Sequence, residues 1–272
     1  MISSDSFSLR DAGSRLNDVT STSTTRVTRV VVAGVLVAIV GLFVVRQRRP
    51  EPQVLPTTSV VLVEAFGCKR TATRTVATAI ARTEAGTPLF LTVAHGVAGQ
   101  DLIEVVGNGG RFAADVVAIN TEWDLAILAP RERDASALAE IQPVDRGTAV
   151  AGEARLIVFP NDGATGTMQQ QRPARIVKRT RIRTEDIYLR DVAEDRLRPG
   201  LEVRVEVNVG DSGGPLFAND GSLVGIIWGT SRKTPGRSWA TRIEAADELI
   251  AAAQVQLGDS RDTPLGLVAC AP

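Results

Sequence analysis

The chain has 272 residues, with 31 basic and 31 acidic groups, a single histidine, two cysteines and 44% apolar residues. Zero net charge removes any global attraction to nucleic acid or anionic membrane, and one His with two distant Cys cannot assemble a structural zinc site. Neither a GxxxxGK[ST] phosphate loop nor a GxGxxG fingerprint occurs, so no nucleic acid partner, no metal and no cofactor is expected.

Residues 1–29 are polar, carry a Ser/Thr tract from Thr20 to Thr25, and read as a disordered tail. An uncharged apolar run then extends over 30–45 and stops at Arg46, Arg48, Arg49 and Pro50. As a helix it spans about 24 Å, slightly short of a hydrocarbon core near 30 Å. Val27 and Thr28 extend it, with Arg29 and Arg46 snorkelling to the interface. Arginines, not a small-residue cleavage site, follow the run, which favours an uncleaved single-pass anchor over a signal peptide. Four arginines before the run against three after it leave the orientation open under the positive-inside rule. Residues 46–57 form an Arg/Pro linker, and a domain long enough to bury a substantial core is expected over 58–272.

Within that domain the apolar residues come in short Val/Ile/Thr-rich runs punctuated by Gly107-Asn108-Gly109-Gly110, Asn161-Asp162-Gly163 and Asn219-Asp220-Gly221. Strands are expected near 59–65, 74–81, 89–94, 102–106, 112–119, 125–129, 154–159, 174–180, 186–190, 202–208, 215–217, 223–228 and 238–241. Many short strands without intervening helices imply an all-β sandwich or barrel pair. At the end, Thr241-Arg242-Ile243-Glu244 fits a capping box, and Ile243, Ala246, Leu249, Ile250 and Ala253 recur at helical spacing, predicting one helix over about 242–255.

The most informative stretch is Gly210-Asp211-Ser212-Gly213-Gly214-Pro215. A serine hydroxyl attacks only when a base removes its proton and donors receive the developing oxyanion. Flanking glycines leave the backbone free to aim the Gly210 and Ser212 amides at one point. The base must be His95, the only histidine, at the end of the apolar run Leu89 to Ala94. Asp124, immediately before the apolar strand Leu125 to Leu128, is favoured as the carboxylate that orients it, with Asp115 as the rival. Cys68 and Cys270 lie near the two ends of the domain; a disulfide stapling the C-terminal tail and two unrelated thiols are both open readings. Persistence of such a bond requires an oxidising compartment, which places the domain outside the cytoplasm.

Thr92-Val93-Ala94-His95, Asp124-Leu125-Ala126-Ile127-Leu128 and Gly210 to Pro215, in that order, resemble the trypsin-like serine protease family, whose His-Asp-Ser order differs from subtilisin-like and α/β-hydrolase enzymes. The resemblance covers about 58–256 and implies a chymotrypsin-like double β-barrel, six strands in each, with a C-terminal α-helix. The short His95–Asp124 spacing is similar to bacterial HtrA-type catalytic domains. The segments around Cys68, Arg172 to Ile176 and Gly266 to Cys270 are similar to mycobacterial membrane-anchored periplasmic acid-resistance proteases, which implies a Cys68–Cys270 disulfide. Seventeen residues after Val255 are too few for a PDZ domain. The family pairs the Asp before its serine, here Asp211, with a freed N-terminus, but no cleavage site precedes Val60; Asp211 is expected to find another partner or face solvent.

Six residues before the serine, where the family sets substrate preference, stands Glu206; with Trp228 it is a candidate for the substrate pocket, although the Val203 to Val209 alternation puts Glu206 on a solvated strand face. The basic residues Arg172, Arg175, Lys178, Arg179, Arg181 and Arg183 read as a solvated hairpin or loop. The expected function is a membrane-anchored, extracytoplasmic serine endopeptidase acting on protein or peptide substrates, with an envelope stress role implied by the resemblance alone. The alternative is a catalytically silent scaffold, for instance with its cleft blocked by Trp228 and Trp239. Oligomeric state is not legible.

Overall fold

The computed structural model describes residues 54–68, 71–107, 110–131, 140–160, 168–259 and 269–271. The tail 1–29, the apolar run 30–45 and linker residues 46–53 lie outside this set. Among the described residues no helix is long and apolar enough to cross a membrane.

Among the described residues, twelve strands form two closed antiparallel barrels. The first contains β1 (Val60–Phe66), β2 (Thr73–Arg82), β3 (Pro88–Thr92), β4 (Leu102–Gly107), β5 (Gly110–Asn120) and β6 (Leu125–Pro130), in the order β1-β2-β3-β6-β5-β4. The second contains β7 (Gly152–Val158), β8 (Gln170–Ile182), β9 (Arg198–Arg204), β10 (Pro215–Ala218), β11 (Leu223–Thr230) and β12 (Arg237–Arg242), in the order β10-β11-β12-β9-β8-β7. Closure leaves neither sheet with a free edge.

The side-chain period of two explains why several strands read as unbroken apolar runs. In β1, Val61, Val63 and Ala65 fill the first barrel with Phe90, Val105 and Leu128, while Val60 and Leu62 face a layer shared between the barrels. That layer gathers Val76, Leu91 and Ile127 from one barrel and Ile157, Phe217 and Ile226 from the other. Leu55, from the end of the expected linker, is buried in the same layer. A separate cluster, including Leu156, Ile176, Leu201 and Ile227, fills the second barrel.

A turn of tighter helix, Ile243–Ala246, leads from β12 into α1 (Asp247–Asp259). Leu249, Ile250 and Ala253 of α1 pack into the shared layer, so the last element of the second barrel lies back against β5 and β6 of the first. The capping box is not formed. Arg242 occupies the cap position without a side-chain bond, and the Thr241 hydroxyl instead donates to the Trp123 carbonyl at 3.1 Å.

Two strand expectations change. Residues 186–190 form a turn, because the Asp186 carboxylate accepts the amides of Tyr188 and Arg190 at 2.8 and 2.9 Å and Leu189 takes a left-handed φ of 59°. Ile187 from this turn is buried in the first barrel's core, which accounts for the apolar character of the run. The strand expected at 202–208 runs from Arg198 to Arg204, its start hidden in the sequence by the breakers Pro199 and Gly200.

Cys68 and Cys270 are joined in a disulfide with their Cα atoms 5.6 Å apart. It joins positions separated by 202 in sequence and ties the tail to the first barrel. Replacing both cysteines with serine is expected to cost about 2–5 kcal/mol of stability, read as a fall in Tm that reductant reproduces in the parent protein but not in the variant.

Candidate active site

β3 ends at Thr92, and a single turn, Ala94–Gly96, carries His95 out of the sheet. The β5–β6 connection brings Asp124 opposite it. Asp124 Oδ1 accepts the His95 amide and Oδ2 pairs with Nδ1 of the ring, both at 2.8 Å. The carboxylate is buried and the imidazole is about one-third exposed, so the pair is anchored on one side and open on the other. Asp124 adopts a left-handed φ of 56°, a conformation that aspartate tolerates better than most residues. Its neighbours hold the turn: Trp123 donates its amide to Asn120 Oδ1 at 2.8 Å, and its carbonyl accepts the Thr241 hydroxyl from the second barrel. The rival Asp115 is engaged elsewhere, with Arg131 at 2.6 Å.

Ser212 lies on the β9–β10 connection, which crosses to the first barrel. The Val76 amide of β2 donates to the Ser212 carbonyl at 2.8 Å, and the Gly213 amide donates to Ile227 of β11 at 2.7 Å. Gly213 has φ +84°, and a Cβ there would collide with the Val76 carbonyl and approach Thr92 Oγ1 to 2.8 Å. Only glycine permits this approach, and it sets Ser212 against the strand that delivers His95 three residues later. Gly210, the other candidate oxyanion donor, also holds a left-handed φ of 98°.

Asp211, only 2% exposed, meets an internal cation. Arg172 of β8 places Nη1 2.5 Å from its carboxylate, and the Asn208 amide donates to the same oxygen at 2.7 Å. Arg172 also donates to the Glu206 carbonyl at 3.2 Å, which ties the start of the serine loop to β8. Arg172 therefore departs from the solvated reading of its cluster, whereas Arg175, Lys178, Arg179 and Arg181 of β8 are exposed. The Glu206 side chain is exposed. Trp228 is half-buried in a bulge of β11, its ring stacked 4.3 Å from the guanidinium of Arg198, and Trp239 stacks on Arg237 at 4.6 Å.

Residues 77–226 match the family model described as the trypsin-like peptidase domain, more than half of the chain. The chain belongs to that family. Serine protease Rv3671c of Mycobacterium tuberculosis is 32% identical to this chain over 143 residues, 52% of this chain and 33% of that protein. Human serine protease HTRA4 is 28% identical over 164 residues, 60% of this chain and 32% of that protein. The chain thus spans about a third of the length of these curated relatives. The crystal structure of the Rv3671c protease in its active form superposes with a TM-score of 0.65 at 24% identity, covering 79% of this chain and 86% of that one, a likeness of fold.

Sequence reasoning missed two arginines of this trypsin-like site, Arg172 as the partner of Asp211 and Arg198 beside Asp124. Nothing local marks either one. Two stability losses follow from the loop geometry. Gly213→Ala is expected to cost about 3 kcal/mol or more, and Arg172→Met, which strands a buried carboxylate, about 3–5 kcal/mol, both measured by urea denaturation.

Proposed function

We propose that this chain is a serine endopeptidase that cleaves peptide bonds through Ser212, His95 and Asp124. The observation that carries the reading is the His95–Asp124 pair, doubly bonded at a buried carboxylate with its ring partly exposed, beside a serine loop that the Val76 amide holds against the same barrel. Asp124 fixes the ring so that Nδ1 bears the proton and Nε2 is free as a base. Nε2 takes the Ser212 hydroxyl proton as the oxygen adds to the substrate carbonyl, and the oxyanion falls to the amides of Gly210 and Ser212. Each such donor contributes about 3–4 kcal/mol in the transition state. Collapse expels the amine, which receives the proton from His95, and leaves an acyl group on Ser212. Water, activated by the same imidazole, then releases it.

The Arg172–Asp211 pair supports a loop that is set without a freed N-terminus, because the cation comes from β8. The apolar run 30–45 supports a single-pass anchor for the domain, and the Cys68–Cys270 bond supports an extracytoplasmic site where it would persist. Glu206, exposed, is weak as a charge-selecting pocket residue, while Trp228 remains a pocket wall in this reading.

Fluorophosphonate labelling of the full chain tests the proposal. Label is expected on the parent protein, none on Ser212→Ala or His95→Ala, and a rate lowered about 10⁴-fold in Asp124→Asn. A folded parent that takes no label favours the silent scaffold. Arg172→Met, by loosening the loop, is expected to lower the labelling rate about 10²-fold.

A further inference from the structure

Asp124 has a second cation behind it. Arg198 opens β9 with 3% of its surface exposed, and it is the one arginine in the buried core of the described residues. A guanidinium removed from water needs both hydrogen bonds and a counter-charge. Its Nε and Nη2 donate to the Glu122 carbonyl at 3.3 and 3.2 Å, and its face rests on Trp228. Nη1 lies 3.7 Å from Asp124 Oδ2. Burial pushes the guanidinium below its ordinary proton affinity, and the field of Asp124 is what opposes that push. Oδ2 is also the oxygen that pairs with His95 Nδ1, so one buried carboxylate oxygen serves a histidine and an arginine at once.

We propose that Arg198 is a positioning residue that locks the Asp124 carboxylate and, through its charge, disfavours the protonated form of His95. The inference rests on the triad assignment above and deepens it. With His95 neutral, Arg198 and Asp124 cancel. When the ring takes a proton, the three groups together carry one net positive charge. Without Arg198 the same proton would bring the pair to neutrality, so the arginine keeps the imidazole available as a base at lower pH.

Other charges stand on the elements packed around this site. Glu122 of the β5–β6 connection pairs with Arg196 of the β8–β9 connection at 3.2 Å, and Asp211 of the serine loop pairs with Arg172 of β8. On β12, Arg242 is set among Arg179, Arg181 and Glu244. β11 contributes Trp228, which is uncharged. Arg198 is therefore the permanent charge that faces the Asp124 carboxylate from the second barrel.

The single histidine makes the test direct, since its ring resonances need no assignment. The titration midpoint of His95 is followed by NMR on the full chain in detergent, with labelled histidine and in a Ser212→Ala background. Arg198→Met is expected to raise the midpoint by about one pH unit, while Arg198→Lys, which keeps the charge, stays within about 0.3 unit of the parent. With Ser212 restored, the acid limb of kcat/KM on a peptide substrate is expected to move with it. An unchanged midpoint in a folded Arg198→Met protein, with only Tm or KM altered, overturns the proposal and leaves Arg198 a packing residue. Should the Met variant fail to fold, Arg198→Gln, whose amide can still donate to the Glu122 carbonyl, carries the same comparison. Because the titration needs no turnover, a shifted midpoint in a protein that cleaves nothing sustains the Arg198 assignment and removes the protease reading. An active enzyme with an unmoved midpoint does the reverse.

Discussion

The two barrels meet backbone to backbone where β2 receives the serine loop, and the candidate site depends on that contact. Gly213 lies against the Val76 carbonyl while the Val76 amide holds the Ser212 carbonyl. A hydrogen bond and a steric limit thus act on adjacent peptide units and leave the serine loop little freedom. The apolar layer around this point, from Leu62 and Leu91 to Phe217 and Ile226, excludes water from the seam. The candidate residues are divided between the barrels, with His95 and Asp124 on one and Ser212 on the connection between two strands of the other. The distance between halves is therefore set by inter-barrel packing, not by any local turn.

Two buried carboxylates flank this seam, and both are answered by arginines from the second barrel. Asp211 meets Arg172 and Asp124 meets Arg198. The pairs differ in kind. Arg172 bonds its partner at short range and also ties down the Glu206 carbonyl, so it shapes a loop. Arg198 stands farther from its partner, spends its best donors on a backbone carbonyl and stacks on an indole, so its influence on Asp124 is mainly through the field. A buried ion pair is weak evidence for net stability, but removing one member leaves a charge with no compensation. Both arginines belong to the fixed electrostatics of the site.

The sequence disclosed the groups whose chemistry is local and concealed those whose meaning is spatial. His95, Asp124 and Ser212 stand out because each ends or precedes an apolar strand inside a short recognisable string. The all-β character was legible from short apolar runs broken by glycine and asparagine, and the double barrel came through resemblance to a family. Arg172 and Arg198 were opaque because hydropathy assigns every arginine to solvent, and their acids are 39 and 74 residues away in sequence. Ile187 misled for the opposite reason: a buried apolar residue implied a strand, but its burial comes from a turn that inserts into the other barrel's core. Thr241 fitted a capping box by type and spacing, yet its hydroxyl serves the Asp124 turn across the seam.

The disulfide has a further consequence, which is topological. Cys68 follows β1 and Cys270 follows α1, so every strand from β2 to β12, the whole of α1 and the serine loop lie inside one covalent ring. A single backbone cut anywhere within that ring opens it into two chains that stay joined through the disulfide, without releasing a fragment. A proteolytic domain living beside its own copies, or beside other proteases, would keep its two barrels tethered after such a nick, and the shared apolar layer would hold the cut ends in register. Damage of this kind becomes separation only when the bond is reduced.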